Sequence, residues 1–310
     1  MPEDLSGELE RLAARGHRAL AAGLIQGGER IYRGSASAGE PPDELSLFEI
    51  GSITKAFTGV LLADMVLSGE LALDDPLSRH LRSPSPAWRH REPTLLELAT
   101  HRSALPNTPK GMGRRELAYS LGFERRDPWA GMTESDYRRL VARESPRHGP
   151  GGRVRYSSMG VGLLGDALVA RAGLSYDELL AERVLEPLGM NATAVTVPPQ
   201  WSWRLLDGHS RRGHARPPIE DFMPAAGSLR SNAADMLRFL AACLTPPAEA
   251  ERVGELAAAH ACGGVRQRAA MGRKLEQRRL ALAPRGARGA EVPRQRVVER
   301  KLAAQRHVGE

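Results

Sequence analysis

The stretch Phe48-Glu49-Ile50-Gly51-Ser52-Ile53-Thr54-Lys55-Ala56-Phe57-Thr58-Gly59-Val60-Leu61-Leu62-Ala63-Asp64-Met65-Val66-Leu67 decides the fold. From Ile53 to Leu67 it is apolar on nearly every face, with no proline and with Gly59 as its one glycine. A helix apolar all round belongs in the centre of a protein large enough to surround it. Two polar residues stand at its start. Ser52 and Lys55 are three apart, so on a helix they share a face with roughly 5–6 Å between their Cβ atoms. An amine beside a hydroxyl can take its proton and make a weak nucleophile strong. The helix N-terminus adds the Ser52 amide, aimed where an oxyanion would develop. The plainer reading of the same spacing is a capping serine and a lysine whose stem covers apolar surface.

Working outward, Arg18–Arg33 holds two short apolar runs around Gln26-Gly27-Gly28, which reads as a hairpin. Gly69 ends the central helix, and Leu73-Asp74-Asp75-Pro76 forms a turn before another short helix. Thr94-x-x-Glu97 and Ser175-x-x-Glu178 each open a helix with a capping box, in which hydroxyl and carboxylate satisfy two orphaned amides. Residues 106–153 are rich in Pro, Gly and Arg and read as irregular, with one or two short helices. The run from His148 to Gly173 predicts a turn, an extended piece and a helix. Gly227–Leu244 is expected to form a last helix, with Asn232 as its N-cap.

The chain has 310 residues, 41% of them apolar and 26% charged, and no run of about 18 apolar residues. That excludes a disordered chain, a collagen, a coiled coil and a membrane-spanning helix. The net charge of +7 is localised: residues 263–310 carry 13 Lys and Arg against 4 Glu, leaving the first 262 at −2. The basicity therefore says little about a partner of the main body. Cys243 and Cys262 are too few for a disulfide scaffold and have no CxxC partner. An acidic start without a continuous apolar stretch gives no signal peptide, so a cytoplasmic location is expected.

The segment Phe48–Thr58 resembles the active-site segment of the serine beta-lactamase and penicillin-binding protein superfamily. It is most similar to the branch holding class C beta-lactamases, D-Ala-D-Ala carboxypeptidases and related esterases. Other segments agree in order: Gly69–Pro76, Thr94–Pro106, Tyr156-Ser157-Ser158 before the glycine-rich helix, Glu186–Met190, and Ala226–Leu229 before Asp235–Leu240. The resemblance covers roughly residues 18–245. It implies an α/β (α+β) fold of the beta-lactamase/transpeptidase type, an antiparallel sheet flanked by helices plus a mainly helical region. On it, residues 1–74 and 206–262 form the sheet region and 75–205 the helical one. It also implies Ser52 as nucleophile, Lys55 as its base partner and Tyr156 as general acid/base. The implied reaction is hydrolysis of an ester, amide or beta-lactam in a small-molecule or peptide-like substrate, with no cofactor. Ser158 stands where the family has asparagine; its hydroxyl can hydrogen-bond Lys55 or a substrate amide, with fewer donors than a carboxamide.

The family's third motif, Lys-Thr-Gly or His-x-Gly on a sheet strand, has no counterpart on a recognisable strand after Leu244, so the sheet is expected to be incomplete at the C-terminus. His307-Val308-Gly309 matches the short pattern one residue from the end. After Phe239 the chain has no aromatic residue, and beyond Gly263 no aspartate. This basic, atypical tail reads as an altered reading frame or a degraded terminus. An intact frame shared by close relatives would refute that, whereas its truth would leave an impaired family member or a ligand-binding relic. Gly160-Val161-Gly162-Leu163-Leu164-Gly165 matches GxGxxG, but no buried strand precedes it, so helix packing accounts better for these glycines. The nine histidines form no metal-ligand pattern. Asp74 and Asp75 read as turn residues. The Arg-rich tail has no aromatic platform for nucleic acid.

Overall fold

The computed structural model describes residues 2–244 apart from 15, 82–84, 122, 125, 211–213 and 217–221. Helix α1 (Pro2–Ala13) leads into the hairpin of β1 (Ala19–Gln26) and β2 (Glu29–Ala36), paired antiparallel from Ala19↔Ala36 to Gln26↔Glu29. Its two-residue turn is Gly27-Gly28 at φ +60° and +87°. Two successive positive φ values suit a tight hairpin to the strands' right-handed twist, and glycine adopts them without steric cost.

Strand β3 (Phe48–Glu49) runs through a 3-10 turn, Gly51–Ile53, into α2 (Thr54–Leu67). Phe57, Val60, Leu61, Leu62 and Met65 of α2 are fully buried, as a helix apolar on every face requires. A second 3-10 turn, Leu77–Arg79, follows the aspartate pair. Asp75 is buried and structural: it accepts from the Ala72 amide, Arg79 and His80. The short α3 (Leu95–Ala99) has the expected capping box complete, with both the Thr94 and Glu97 halves formed. Helices α4 (Gly113–Ser120) and α5 (Glu134–Ala142) are the two short helices of the irregular stretch.

Next come α6 (Ser158–Ala172) and α7 (Tyr176–Leu180), the latter with the Ser175/Glu178 capping box and running on into a π-type turn, Ala181–Leu185. A 3-10 segment, Pro199–Arg204, precedes β4 (Gly208–His209) and β5 (Ala215–Arg216). The end of the described chain is α8 (Pro224–Gly227), β6 (Arg230–Ser231) and α9 (Ala233–Leu244). The helix expected over Gly227–Leu244 is thus corrected to Ala233–Leu244, with Gly227 ending α8 and β6 lying between. Tertiary pairing overrides propensity here: Phe48 and Glu49 pair antiparallel with Ser231 and Arg230, and the Arg230 guanidinium meets Glu49 at 2.9 Å. Asn232 then starts α9 as its N-cap, accepting from the Asp235 amide at 2.8 Å.

The expected antiparallel sheet is present as three two-stranded antiparallel ladders among the described residues. Phe57 of α2 stacks on Phe239 of α9 with ring centroids 4.1 Å apart. The described residues all lie within one unit, residues 1–263. The tail, Cys262 and His307-Val308-Gly309 lie outside the described residues. Among those described, no helix is long and apolar enough to cross a membrane, and no group of three His, Cys, Asp or Glu could hold a metal ion.

The GxGxxG glycines are packing residues. A Cβ at Gly162 would lie 2.9 Å from Met223 Cγ, and one at Gly165 only 2.3 Å from Ala225 Cβ. Their absence lets α6 press against α8. Next to Gly165, burial raises the Asp166 carboxyl to about 6, opposed by Arg138 and aided by Glu134. A carboxyl raised on folding contributes stability below its unfolded pKa and loses it as pH rises through the folded value. Asp166→Asn is therefore expected to stabilise by roughly 2–3 kcal/mol at about pH 8 and by only about 0.5 kcal/mol at about pH 4. Urea melts at the two pH values check this, and an equal gain at both would refute it.

Candidate active site

Gly51, at φ +52°, turns the chain so that Ser52 sits exposed on the 3-10 turn, one residue short of the α-helix proper rather than within it. As the second residue of that turn, Ser52 has an amide at the positive end of α2 that no carbonyl of the helix can reach. The spacing to Lys55 survives the change of helix type. Lys55 Nζ donates to Ser52 Oγ at 3.2 Å and to the Ala226 carbonyl at 2.6 Å.

Tyr156 arrives from the other side of the sequence, on the extended approach to α6. Its hydroxyl donates to Ser52 Oγ at 2.7 Å, and Lys55 Nζ lies 4.9 Å from its ring centre. Burial alone would raise the phenol. Hydrogen bonds with Lys55 and Ser52, the Lys55 charge and the Ser158 hydroxyl outweigh it and bring the pKa below tyrosine's usual 10. Ser52, Lys55 and Tyr156 are thus brought together within hydrogen-bond reach. Ser158 lies beside these three residues. Lys55 gives its bonds to Ser52 and Ala226, while the Ser158 side chain lies against Tyr156 and its amide donates to Asn107 Oδ1 at 3.1 Å.

The loop 101–107 is what holds this end of α6. Ser157 is its N-cap, its hydroxyl accepting from the Gly160 amide and donating to the Pro106 carbonyl. The Ser157, Ser158 and Met159 amides go to His101 Nδ1, Asn107 Oδ1 and the Asn107 carbonyl. Donors that a helix start leaves orphaned are thereby satisfied from one loop. On the opposite side, Thr58 Oγ1 of α2 donates to the Ala225 carbonyl at 2.6 Å, and Thr54 Oγ1 accepts from the Leu229 amide at 3.2 Å. These clamp α8 so that the Ala226 carbonyl faces Lys55. His101, Asn107, Thr58 and Ala226 were not legible as site residues: each acts through a partner at least 51 positions away. A groove of about 510 Å³ lined by Asn107, Lys110, Arg114 and Leu117 opens beside this loop.

A hydroxyl, an amine and an acidified phenol in contact are the groups that nucleophilic catalysis uses. The Beta-lactamase family model matches residues 8–296. The chain belongs to the beta-lactamase family. Among proteins similar to this beta-lactamase family chain is the D-alanyl-D-alanine-carboxypeptidase/endopeptidase AmpH of Escherichia coli (strain K12), 29% identical over 252 residues, 77% of this chain and 62% of that protein. A beta-lactamase of the same strain is 29% identical over 211 residues, 67% of this chain and 50% of that one. The chain thus spans about half to three fifths of the length of these relatives. In three dimensions it is similar to a beta-lactamase/D-alanine carboxypeptidase from Yersinia pestis, solved with citrate, at a TM-score of 0.66 and 24% identity, covering 83% of this chain and 72% of that one. That likeness establishes the beta-lactamase-type fold, with its mixture of helices and small antiparallel ladders.

Proposed function

We propose that this chain is a serine hydrolase that cleaves an ester, amide or beta-lactam through an acyl-enzyme on Ser52. The observation that carries the reading is the position of Ser52 Oγ, 2.7 Å from the Tyr156 hydroxyl and 3.2 Å from Lys55 Nζ. The shorter contact and the lowered phenol favour Tyr156, once ionised, as the group that takes the Ser52 proton. With Tyr156 as its phenolate, Ser52 Oγ bonds to the substrate carbonyl carbon, its proton passes to the Tyr156 oxygen and the carbonyl oxygen becomes an oxyanion. The Ser52 amide, at the start of the turn, donates to that oxyanion. When the tetrahedral species collapses, the bond to the leaving nitrogen or oxygen breaks and that atom takes the proton from Tyr156. Water then attacks the acyl ester, giving a proton to the Tyr156 oxygen; as the bond to Ser52 Oγ breaks, the Tyr156 hydroxyl returns that proton to Ser52 Oγ, which restores both groups. Lys55 holds Ser52 Oγ and, by its charge, keeps the phenol acidic.

Family membership supports a small-molecule or peptide-like substrate, and the relatives' names point to D-alanyl peptides and beta-lactams as first candidates. The experiment is labelling of the purified chain with a fluorescent penicillin or a fluorophosphonate, with Ser52→Ala as control. Label on the wild-type chain that is absent from Ser52→Ala is expected. Folded protein that takes no Ser52-dependent label from either probe would point instead to a ligand-binding relic of the family.

A further inference from the structure

Tyr156 is 50% exposed, so few neighbours fix where its phenol points. One of them is the His101 ring, with centroids 4.6 Å apart and planes inclined by 42°. His101 itself is held unusually. Its φ is +57°, a left-handed conformation that histidine and asparagine tolerate better than most residues. Its carbonyl accepts from the Arg155 amide at 2.8 Å, and its Nδ1 accepts from the Ser157 amide at 3.2 Å. His101 therefore meets the residues on both sides of Tyr156, Arg155 through its carbonyl and Ser157 through its imidazole, and its ring meets the Tyr156 ring. Strained backbone that the surroundings over-determine is a feature of functional sites.

We propose that His101 is the positioning residue for Tyr156, its ring holding the phenol against Ser52 while Nδ1 anchors the chain that carries it. The role requires a neutral imidazole, because only an unprotonated Nδ1 accepts from an amide. Burial and then the Lys55 charge keep His101 below the usual histidine range. Lys55 on α2 and Tyr156 before α6 are the titratable groups facing the ring. The inference rests on the acylation chemistry proposed above.

Two substitutions separate the contacts. His101→Asn keeps the left-handed backbone and an amide acceptor but removes the ring. His101→Phe keeps a ring but loses the acceptor and sits badly at positive φ. The rate of acylation by a fluorescent penicillin, followed against penicillin concentration, separates the acylation rate constant from the binding constant. With His101→Asn the melting temperature is expected to stay near wild type while the acylation rate constant falls about tenfold and binding changes less than about twofold, the size expected of a misplaced group. With His101→Phe the melting temperature should drop, yet the rate constant should return to within about threefold of wild type. If the Asn variant acylates at the wild-type rate, or if rate simply follows melting temperature across the set, the inference is overturned while the acyl-enzyme reading stands. A wild-type chain that takes no Ser52-dependent label overturns the acyl-enzyme reading and the inference with it.

Discussion

Replacing Tyr156 by phenylalanine is expected to slow acylation of Ser52 by about 10²–10⁴-fold, the usual contribution of a positioned acid/base group. The substitution keeps the aromatic ring that touches His101 and Lys55 and removes only the hydroxyl. Because Tyr156 is half-exposed, little buried surface is lost, and the melting temperature should stay within a few degrees of wild type. What changes is the fate of the Ser52 proton. Its nearest acceptor is gone, leaving Lys55 Nζ at 3.2 Å, which already donates to the Ala226 carbonyl. The pH profile gives a second readout. In the wild-type chain the rate should rise with pH through the titration of a phenol held below 10, and in Tyr156→Phe that limb should vanish. A Phe variant that acylates within a few-fold of wild type, with the limb intact, would move the proton-accepting role from Tyr156 to Lys55.

Gly165→Val should be the most damaging of the glycine substitutions on α6. In an open helix, exchanging glycine for a residue with a side chain usually stabilises by up to about 1 kcal/mol. At Gly165 the sign reverses, because the first added carbon would stand 2.3 Å from Ala225 Cβ. Alanine has no rotamer with which to retreat, so α6 and α8 must separate. A loss of about 3 kcal/mol or more is expected, at the upper end for an overpacked core. The effect should reach the site, since α8 presents the Ala225 carbonyl to Thr58 and the Ala226 carbonyl to Lys55. Gly162→Ala is the instructive comparison. Its new carbon would meet Met223 Cγ at 2.9 Å, on a flexible side chain that can swing aside, so the cost should be smaller. Denaturant unfolding of the two variants decides it. Equal and small losses would mean that α6 and α8 are not tightly packed.

The sequence determined those features whose physical cause lies within one turn of chain. Gly27-Gly28 specified the hairpin, since two positive φ values need residues without a side chain. The Thr94/Glu97 and Ser175/Glu178 pairs specified helix starts, because each partner is three residues from the other. The apolar residues on nearly every face of residues 53–67 placed α2 in the core, and Ser52 and Lys55 were paired by helical periodicity alone. Only the tertiary structure decided the rest. It delayed the helix expected over Gly227–Leu244 to Ala233, because Arg230 and Ser231 pair with β3, 181 and 183 positions away in the chain. It gave the Ser158 amide to Asn107 and set His101 beside Tyr156. Contacts of this kind depend on the closing of long loops and leave no periodic trace in either partner's neighbourhood. A local pattern can therefore name a nucleophile, while the geometry that makes it reactive exists only once distant segments have packed.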